Sequence, residues 1–293
     1  MQFPATELVL DAKGAVYHLG LLPEQLATKV ILVGDQDRVA KISCYFDHIE
    51  FKIQHREFIS HTGSYQGKRI TVLSTGIGTD NIDICISELD ALANIDLALR
   101  EEKQHKTSLE ITRIGTCGML QSDMPLHTFV LSTHALGLDN IAHFYPIHFS
   151  LEEQHLLTQI KMQVQFPKGI EPYLSAASPE MVAKFDTPSA RKGITITSSG
   201  FYGPQGRSLR LASKMPEIHL TLEKFKDKGH QIVNFEMESS AIFALGKALG
   251  HKCTSICLGV ANRPQEIFST GVDEAMDELI LFVLDRIWSC AYA

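Results

Sequence analysis

Hydrophobic positions along the chain fall into short continuous runs, separated by stretches with helical spacing. Lys29-Val30-Ile31-Leu32-Val33 is a continuous apolar run from Val30 that stops at Gly34-Asp35, the pattern of a strand buried on both faces. Further strands are predicted over 69–74, 110–115, 193–197 and 253–260. Shorter apolar stretches at 127–131 and 231–233, and an alternating one over 51–60, predict further strands. Between them the period lengthens. Helices are predicted over 39–45, over 82–99 (Ile82, Ile86, Leu89, Ala93), near 151–165, and after 241, where Ala241, Ile242, Leu245 and Leu249 lead to Gly250. An amphipathic helix from about Asp273 closes the chain. Residues 1–17 read as a lead-in, and 137–190 are otherwise weakly patterned. Strands alternating with helices, with no repeat or linker, predict one α/β layered domain over 1–293.

Composition narrows the class. Of 293 residues, 44% are hydrophobic and 21% charged, an ordinary globular balance. A net charge of −7 argues against a general nucleic-acid binder, so any bound anion must meet a local cluster of cations. Cys44, Cys85, Cys117, Cys253, Cys257 and Cys290 form no CxxC pair and read as buried free thiols of a reducing cytosol. The histidines show no HExxH or paired Cys/His spacing, so no metal site is expected. The first residues lack a basic-then-apolar signal, and no apolar run approaches ~18 residues, so a cytoplasmic protein without a membrane span is expected.

The most chemically loaded stretch is Asn234-Phe235-Glu236-Met237-Glu238-Ser239-Ser240-Ala241, where a strand turns into a helix. In open α/β sheets ligands bind at such points. Glu236 and Glu238, two apart, share a face if the segment is extended and would then accept from sugar hydroxyls. Met237 suits an apolar ring face. The plainer alternative is an acidic first helical turn facing the macrodipole. Other strand ends carry Gly34-Asp35-Gln36-Asp37-Arg38, Arg56, Arg113-Ile114-Gly115-Thr116-Cys117-Gly118, a loop running to Arg207, and Asn262-Arg263. Arginine is a forked donor suited to phosphate, and backbone N–H groups beside Gly34 and Gly118 would complete an anion cradle. Taken singly, any one arginine reads first as a surface ion pair, and Gly115 and Gly118 read as well as a strand-end turn, so the case rests on the set. Gly76-Ile77-Gly78-Thr79-Asp80-Asn81 nears a dinucleotide fingerprint, but Asn81 replaces the third glycine and a tight strand-to-helix turn fits better. Gln205 and Arg207 lie in a Gly/Pro-shaped loop and match a pyrimidine edge with two carbonyls and one N–H, although taken alone they read as solvated loop side chains. Cys117 has no adjacent histidine and reads as a packed thiol.

These segments, in this order, resemble nucleoside phosphorylases of the uridine phosphorylase type. The similarity runs from Tyr17-His18-Leu19-Gly20 to the last helix. It rests on Gly34-Asp35-x-Asp37-Arg38-Val39, His55-Arg56-Glu57-Phe58, Ser74-Thr75-Gly76-Ile77-Gly78, Arg113-Ile114-Gly115-Thr116-x-Gly118, Phe201-Tyr202 to Arg207, Glu236-Met237-Glu238-Ser239 and Asn262-Arg263. The resemblance implies one α/β/α sandwich whose central mixed sheet curls into a partial barrel. It implies phosphorolysis of a nucleoside, uridine first with deoxyuridine and thymidine as further candidates, to free base and pentose 1-phosphate. Gly34, Arg38, Arg113 and Thr116 would hold phosphate, with Arg56 donated by a neighbouring subunit. Thr116, Met237 and Glu238 would hold the ribose, with the neighbour's His18 at the 5′-hydroxyl. Phe201, Gln205, Arg207 and Gly118 would take the base. Glu236, Val260, Ala261 and Arg263 would support from behind. The active unit would be a homodimer, in some relatives assembled into a hexamer, with no cofactor beyond phosphate as co-substrate.

Several positions depart from the family pattern. Gln36 stands for the usual proline, and Cys117 for a hydroxyl residue. Thr79-Asp80-Asn81 replaces Gly-Pro-Ser, which bears on a monovalent cation that some relatives hold between subunits. The base loop reads Phe-Tyr-Gly-Pro-Gln-Gly-Arg, with Gly and Pro exchanged. Rival readings are a nucleosidase, which needs no phosphate cluster; a purine phosphorylase, which wants an acid where Asn262 stands; and a silent nucleoside-binding protein.

Overall fold

The structure is a computed structural model that describes residues 2–289, so Cys290 lies outside the described residues. In chain order the main elements are β1 (Lys29–Val33), α1 (Gln36–Ser43), β2 (His48–His55), β3 (Phe58–Tyr65), β4 (Lys68–Ser74), α2 (Thr79–Asn94), the short β5 (Ile95–Asp96) and β6 (Glu101–Glu102), β7 (Glu110–Met119) and β8 (Phe129–Gly137). There follow α3 (Leu151–Gln163), β9 (Tyr173–Ala176), α4 (Pro179–Phe185), β10 (Ala190–Thr197), α5 (Ile218–Lys224), β11 (Lys226–Asp227), β12 (His230–Glu236), α6 (Ser239–Ala248), β13 (Lys252–Asn262), β14 (Ile267–Phe268) and α7 (Val272–Arg286).

The main sheet runs β11-β12-β10-β8-β13-β7-β1-β4-β3-β2. β1 lies parallel to both β4 and β7, and its side chains alternate between two packed layers. Val30 and Leu32 pack with Ile82, Ile86 and Leu89 of α2 and Ile242 and Leu245 of α6. Ile31 and Val33 pack with Val39 and Ile42 of α1 and Leu279, Ile280 and Val283 of α7. Covering both faces explains the uninterrupted apolar runs. A third cluster joins α3 and α5 to β10 and β12 through Leu156, Ile160, Leu222, Phe225, Ile194 and Ile232.

The expected partial barrel is closed. β12 pairs antiparallel with β7 at Asn234↔Met119 and Phe235↔Gly118, so β7, β13, β8, β10 and β12 form a five-stranded mixed ring. A bulge between Gly259 and Ala261 of β13, and others at Gly193/Ile194 and Ile194/Thr195 of β10, supply local curvature.

The structure corrects several boundaries. The 51–60 strand is a hairpin, β2 and β3, that turns at Arg56 with φ +54°. The helix predicted over 82–99 ends at Asn94, whose side chain accepts from Thr107 N and donates to Thr107 O while the chain leaves for β5. The strand predicted over 127–131 is β8, and His127 lies before it in a left-handed conformation. Gly115 and Gly118 lie within β7 rather than in a turn. Cys44 is exposed, whereas Cys85, Cys117, Cys253 and Cys257 are buried as expected. Among the described residues, no helix is long and apolar enough to cross a membrane.

Candidate active site

A cavity of about 800 Å3 opens at the carboxyl ends of β1, β4, β7 and β12. At one end it is lined by Gly34, Arg38, Arg113 and Thr116, and in the middle by Glu236, Met237 and Glu238. Gly118, Phe201, Gln205 and Arg207 line its other end, with Val260 and Ala261 on the wall. Thirteen residues to which the resemblance assigns a role thus share one space.

Arg113 is its pivot. It leaves β7 with 5% of its surface exposed and lies across Gly115, where an added Cβ would fall 1.7 Å from Nη1. That close approach requires glycine at 115. Nη2 donates to Glu238 Oε2, Nη1 donates to Cys257 Sγ at 3.3 Å, and Nη1 stands 3.6 Å from Glu236 Oε2. Burial pulls the guanidinium's pKa down, but Glu238, Cys257 and Glu236 outweigh it and the net shift is upward. Glu238 moves the same way: burial raises its pKa and Arg113 opposes without cancelling.

The two glutamates do not act as a facing pair for hydroxyls. Glu236 ends β12 and turns back on the start of α6. Its Oε2 accepts from Glu238 N (3.0 Å), Ser239 N (2.9 Å) and Ser239 Oγ (2.9 Å), and Thr197 Oγ1 donates to its Oε1. Glu236 therefore satisfies orphan donors at a helix start, as the plainer alternative has it. Glu238 alone is spent on the cavity, where its Oε1 accepts from Gly78 N at 2.8 Å. That bond gives the Gly76-Ile77-Gly78 turn its place: Gly76 and Gly78 hold φ of +70° and +99°, and Gly78 caps α2.

Arg38 is held loosely. Nη1 lies 3.5 Å from Ile114 O, and Nη2 lies 3.9 Å from Asp35 Oδ2. Burial lowers its pKa and Arg113 adds to the lowering, with Asp35 opposing. Two partly desolvated guanidiniums at one end of a cavity are stabilised by an anion between them. Cys117 also faces the cavity, but burial first and Cys257 next hold its thiol well above the usual range, so it is packed rather than nucleophilic.

At the far end, Gln205 is 2% exposed and its Oε1 accepts from Arg207 Nη1. The Arg207 guanidinium lies 3.9 Å over the Phe201 ring and donates to Phe201 O at 2.7 Å. Burial and the neighbouring Arg263 push its pKa down to about 10. Arg263 lies behind the loop, donating to Gln205 O at 3.0 Å. The exchanged Gly and Pro build a short 3-10 turn over Gly203–Gln205, closed by Gly206 at φ +75°. Asn262 points away: its Nδ2 donates to Gln121 O (3.0 Å) and Met124 O (2.8 Å).

His18 and Arg56 do not line this cavity. They form a separate partly exposed group with Tyr17 and His55. Arg56 Nη2 donates to Tyr17 Oη at 3.1 Å, His55 Nδ1 bonds His18 O at 2.9 Å, and His18 Nδ1 bonds Glu88 Oε1 at 2.6 Å. Among residues the sequence reading assigns no role, Glu57 and Phe268 line the cavity. Phe268 is 68% exposed on β14, and the Ile267-Phe268 pair just after Asn262-Arg263 was its only signal.

The family model of the phosphorylase superfamily matches residues 28–284, most of the chain. The chain belongs to the phosphorylase superfamily. The uridine phosphorylase of Haemophilus influenzae is 31% identical over 255 residues, covering 86% of this chain and 88% of that protein. The uridine phosphorylase of Thermococcus kodakarensis is 27% identical over 275 residues, covering 94% and 87%. Among solved structures, a Trypanosoma brucei nucleoside phosphorylase described as showing uridine phosphorylase activity superposes with a TM-score of 0.87 at 29% identity, covering 97% of this chain and all of that one. The superfamily's architecture, a mixed α/β fold with a closed five-stranded barrel, is the one described above. The chain is accordingly an enzyme of the pentosyltransferase class.

Proposed function

We propose that this superfamily member cleaves uridine with inorganic phosphate, giving uracil and ribose 1-phosphate. The observation that carries the reading is the placement of Glu238 on Arg113, between a cationic end built from Arg38 and Arg113 and an amide–guanidinium end built from Gln205 and Arg207. Phosphate, sugar and base map onto those three zones in order. Arg38, Arg113, Thr116 and the backbone at Gly34 orient the phosphate, turning an encounter into a positioned attack on C1′. Glu238 and Met237 hold the ribose. Gln205 and Arg207 donate to the leaving uracil as charge grows on it, stabilising the transition state more than the ground state. No side chain acts as nucleophile, and no metal or organic cofactor takes part. The orientation of Asn262 favours pyrimidine over purine, because its amide is committed to loop carbonyls. His18 and Arg56, grouped outside their own cavity, complete the site of a second copy in a homodimer.

The test is uridine incubated with and without phosphate while uracil is followed. Release is expected only with phosphate; equal release in phosphate-free buffer overturns the reading in favour of hydrolysis, and none in either supports a silent binder.

Base selection gives a second expected result. Gln205 and Arg207 are bonded to each other, so truncating one loosens both. Each unmet buried partner should cost about 1–3 kcal/mol. Wild type should therefore prefer uridine over inosine by roughly 10²-fold or more, at ~1.4 kcal/mol per tenfold. Gln205→Ala should lower uridine turnover and narrow that preference, leaving the phosphate KM nearly unchanged. Catalytic efficiencies on uridine, thymidine and inosine measure this, and a wild type that cleaves inosine as well as uridine contradicts the pyrimidine assignment.

A further inference from the structure

Behind Glu236 a chain of buried polar groups runs away from the cavity. Thr197, at the end of β10, stands beside Glu236 in register and donates to its Oε1. Thr197 Oγ1 in turn accepts from Ser240 N at 3.0 Å. Ser240 Oγ donates to Asp139 Oδ2 at 2.7 Å, and Asp139 Oδ1 accepts from Tyr173 Oη at 2.8 Å and from Ile141 N at 2.9 Å. Tyr173 Oη also lies 3.0 Å from Ser240 Oγ. Thr197 and Ser240 are fully buried, and Asp139 and Tyr173 nearly so. Space is reserved for the outer pair: a Cβ on Gly137 would fall 2.4 Å from Tyr173 Cζ and 2.9 Å from Asp139 Oδ2. Burial, reinforced by Asp139, holds the Tyr173 phenol well above its usual range, so it remains a donor.

The direction of each bond matters. Because an ionised carboxylate oxygen can only accept, the Thr197 hydroxyl proton points at Glu236, and Ser240 N–H takes a Thr197 lone pair. That leaves Glu236 Oε2 to hold Glu238 N and Ser239, fixing the backbone from which the Glu238 side chain reaches the cavity. Tyr173 and Asp139 anchor Ser240, and with it the first turn of α6. We propose that Thr197, Asp139 and Tyr173 are positioning residues for the pentose, setting the orientation of Glu238 through Glu236 and Ser240. The inference rests on the reading of Glu238 as the ribose ligand.

The experiment compares kcat/KM for uridine and 2′-deoxyuridine in wild type, Thr197→Val, Thr197→Ser and Asp139→Asn, with a thermal melt of each. Valine keeps the branched shape that suits β10 and removes only the hydroxyl. Thr197→Val is expected to lose about tenfold or more on uridine, the scale of one hydrogen bond to a charged group. The loss on 2′-deoxyuridine should be severalfold smaller, because that substrate lacks a hydroxyl for a misplaced Glu238 to miss. Thr197→Ser should restore both the efficiency and the ratio, and Asp139→Asn should shift the ratio the same way by less. An unchanged ratio in Thr197→Val, or a loss equal on both substrates that follows a lowered melting temperature, overturns the inference while leaving the uridine reading intact. A wild type that releases no uracil overturns both.

Discussion

Arg113→Met is expected to cripple phosphorolysis and destabilise the protein at once. The first effect follows from the proposed phosphate role: loss of one buried donor aimed at developing charge should lower kcat by on the order of 10²–10³-fold. The second follows from what Arg113 leaves behind. Glu238 and Glu236 are 3% and 4% exposed, and both stand against the guanidinium. Removing one partner of a buried ion pair should cost about 3–5 kcal/mol, because the other charge is left uncompensated. Adding Glu238→Gln should then recover much of the melting temperature and none of the activity, which separates the two roles. The destabilisation also has a pH signature. Glu238 already has a raised pKa, through burial first, and Arg113 is the main group opposing the rise. In Arg113→Met the rise is larger. A carboxyl whose folded-state pKa lies above its unfolded value contributes stability below the unfolded pKa and loses it as pH climbs through the folded one. The melting deficit of Arg113→Met should therefore widen from acidic to neutral pH. A variant that melts like wild type at neutral pH contradicts the buried-pair account.

How far this site was legible differs residue by residue. The order of cationic strand ends and the Glu-Met-Glu segment carried the family resemblance, and the cavity gathers most of them. Covered faces made β1 plain, since Val30 to Val33 are apolar without a break and pack into both layers. The β2–β3 turn was hidden because Arg56 adopts positive φ without a glycine, asparagine or proline to mark it. β7 was read short because Gly115 and Gly118 look like a turn. In the fold they are strand positions: Gly115 yields space to Arg113, and Gly118 pairs with Phe235 to close the barrel. A sequence shows a missing side chain but not the neighbour that needs the room. Asp139 and Tyr173 lay in the weakly patterned 137–190 stretch, and nothing local tied them to Glu236. Their link is a tertiary chain of hydrogen bonds that no spacing rule encodes.

Mixing two inactive variants is expected to restore activity. Arg56 lies outside the cavity of its own chain, stacked 5.1 Å over Tyr17, at a turn that holds an unfavourable positive φ. A bulky residue keeps such a conformation only when its surroundings determine it, and these conformations concentrate where function needs them. His55 ties the same turn to the His18 backbone, and Glu88 fixes the His18 ring, so the group is built as one unit beside the cavity rather than in it. In a two-fold dimer each site would take Glu238 from one subunit and Arg56 from the other. Arg56→Ala and Glu238→Ala should each be crippled alone. Equal mixing makes half the dimers hybrid, and each hybrid holds one site with both residues intact, so about a quarter of wild-type activity should return. The level should rise with the extent of subunit exchange, followed with a tagged chain. If both residues served the same subunit's site, every site in every mixture would lack one of them. Full exchange without recovery would therefore return Arg56 to a structural role and leave the phosphate end to Arg38 and Arg113.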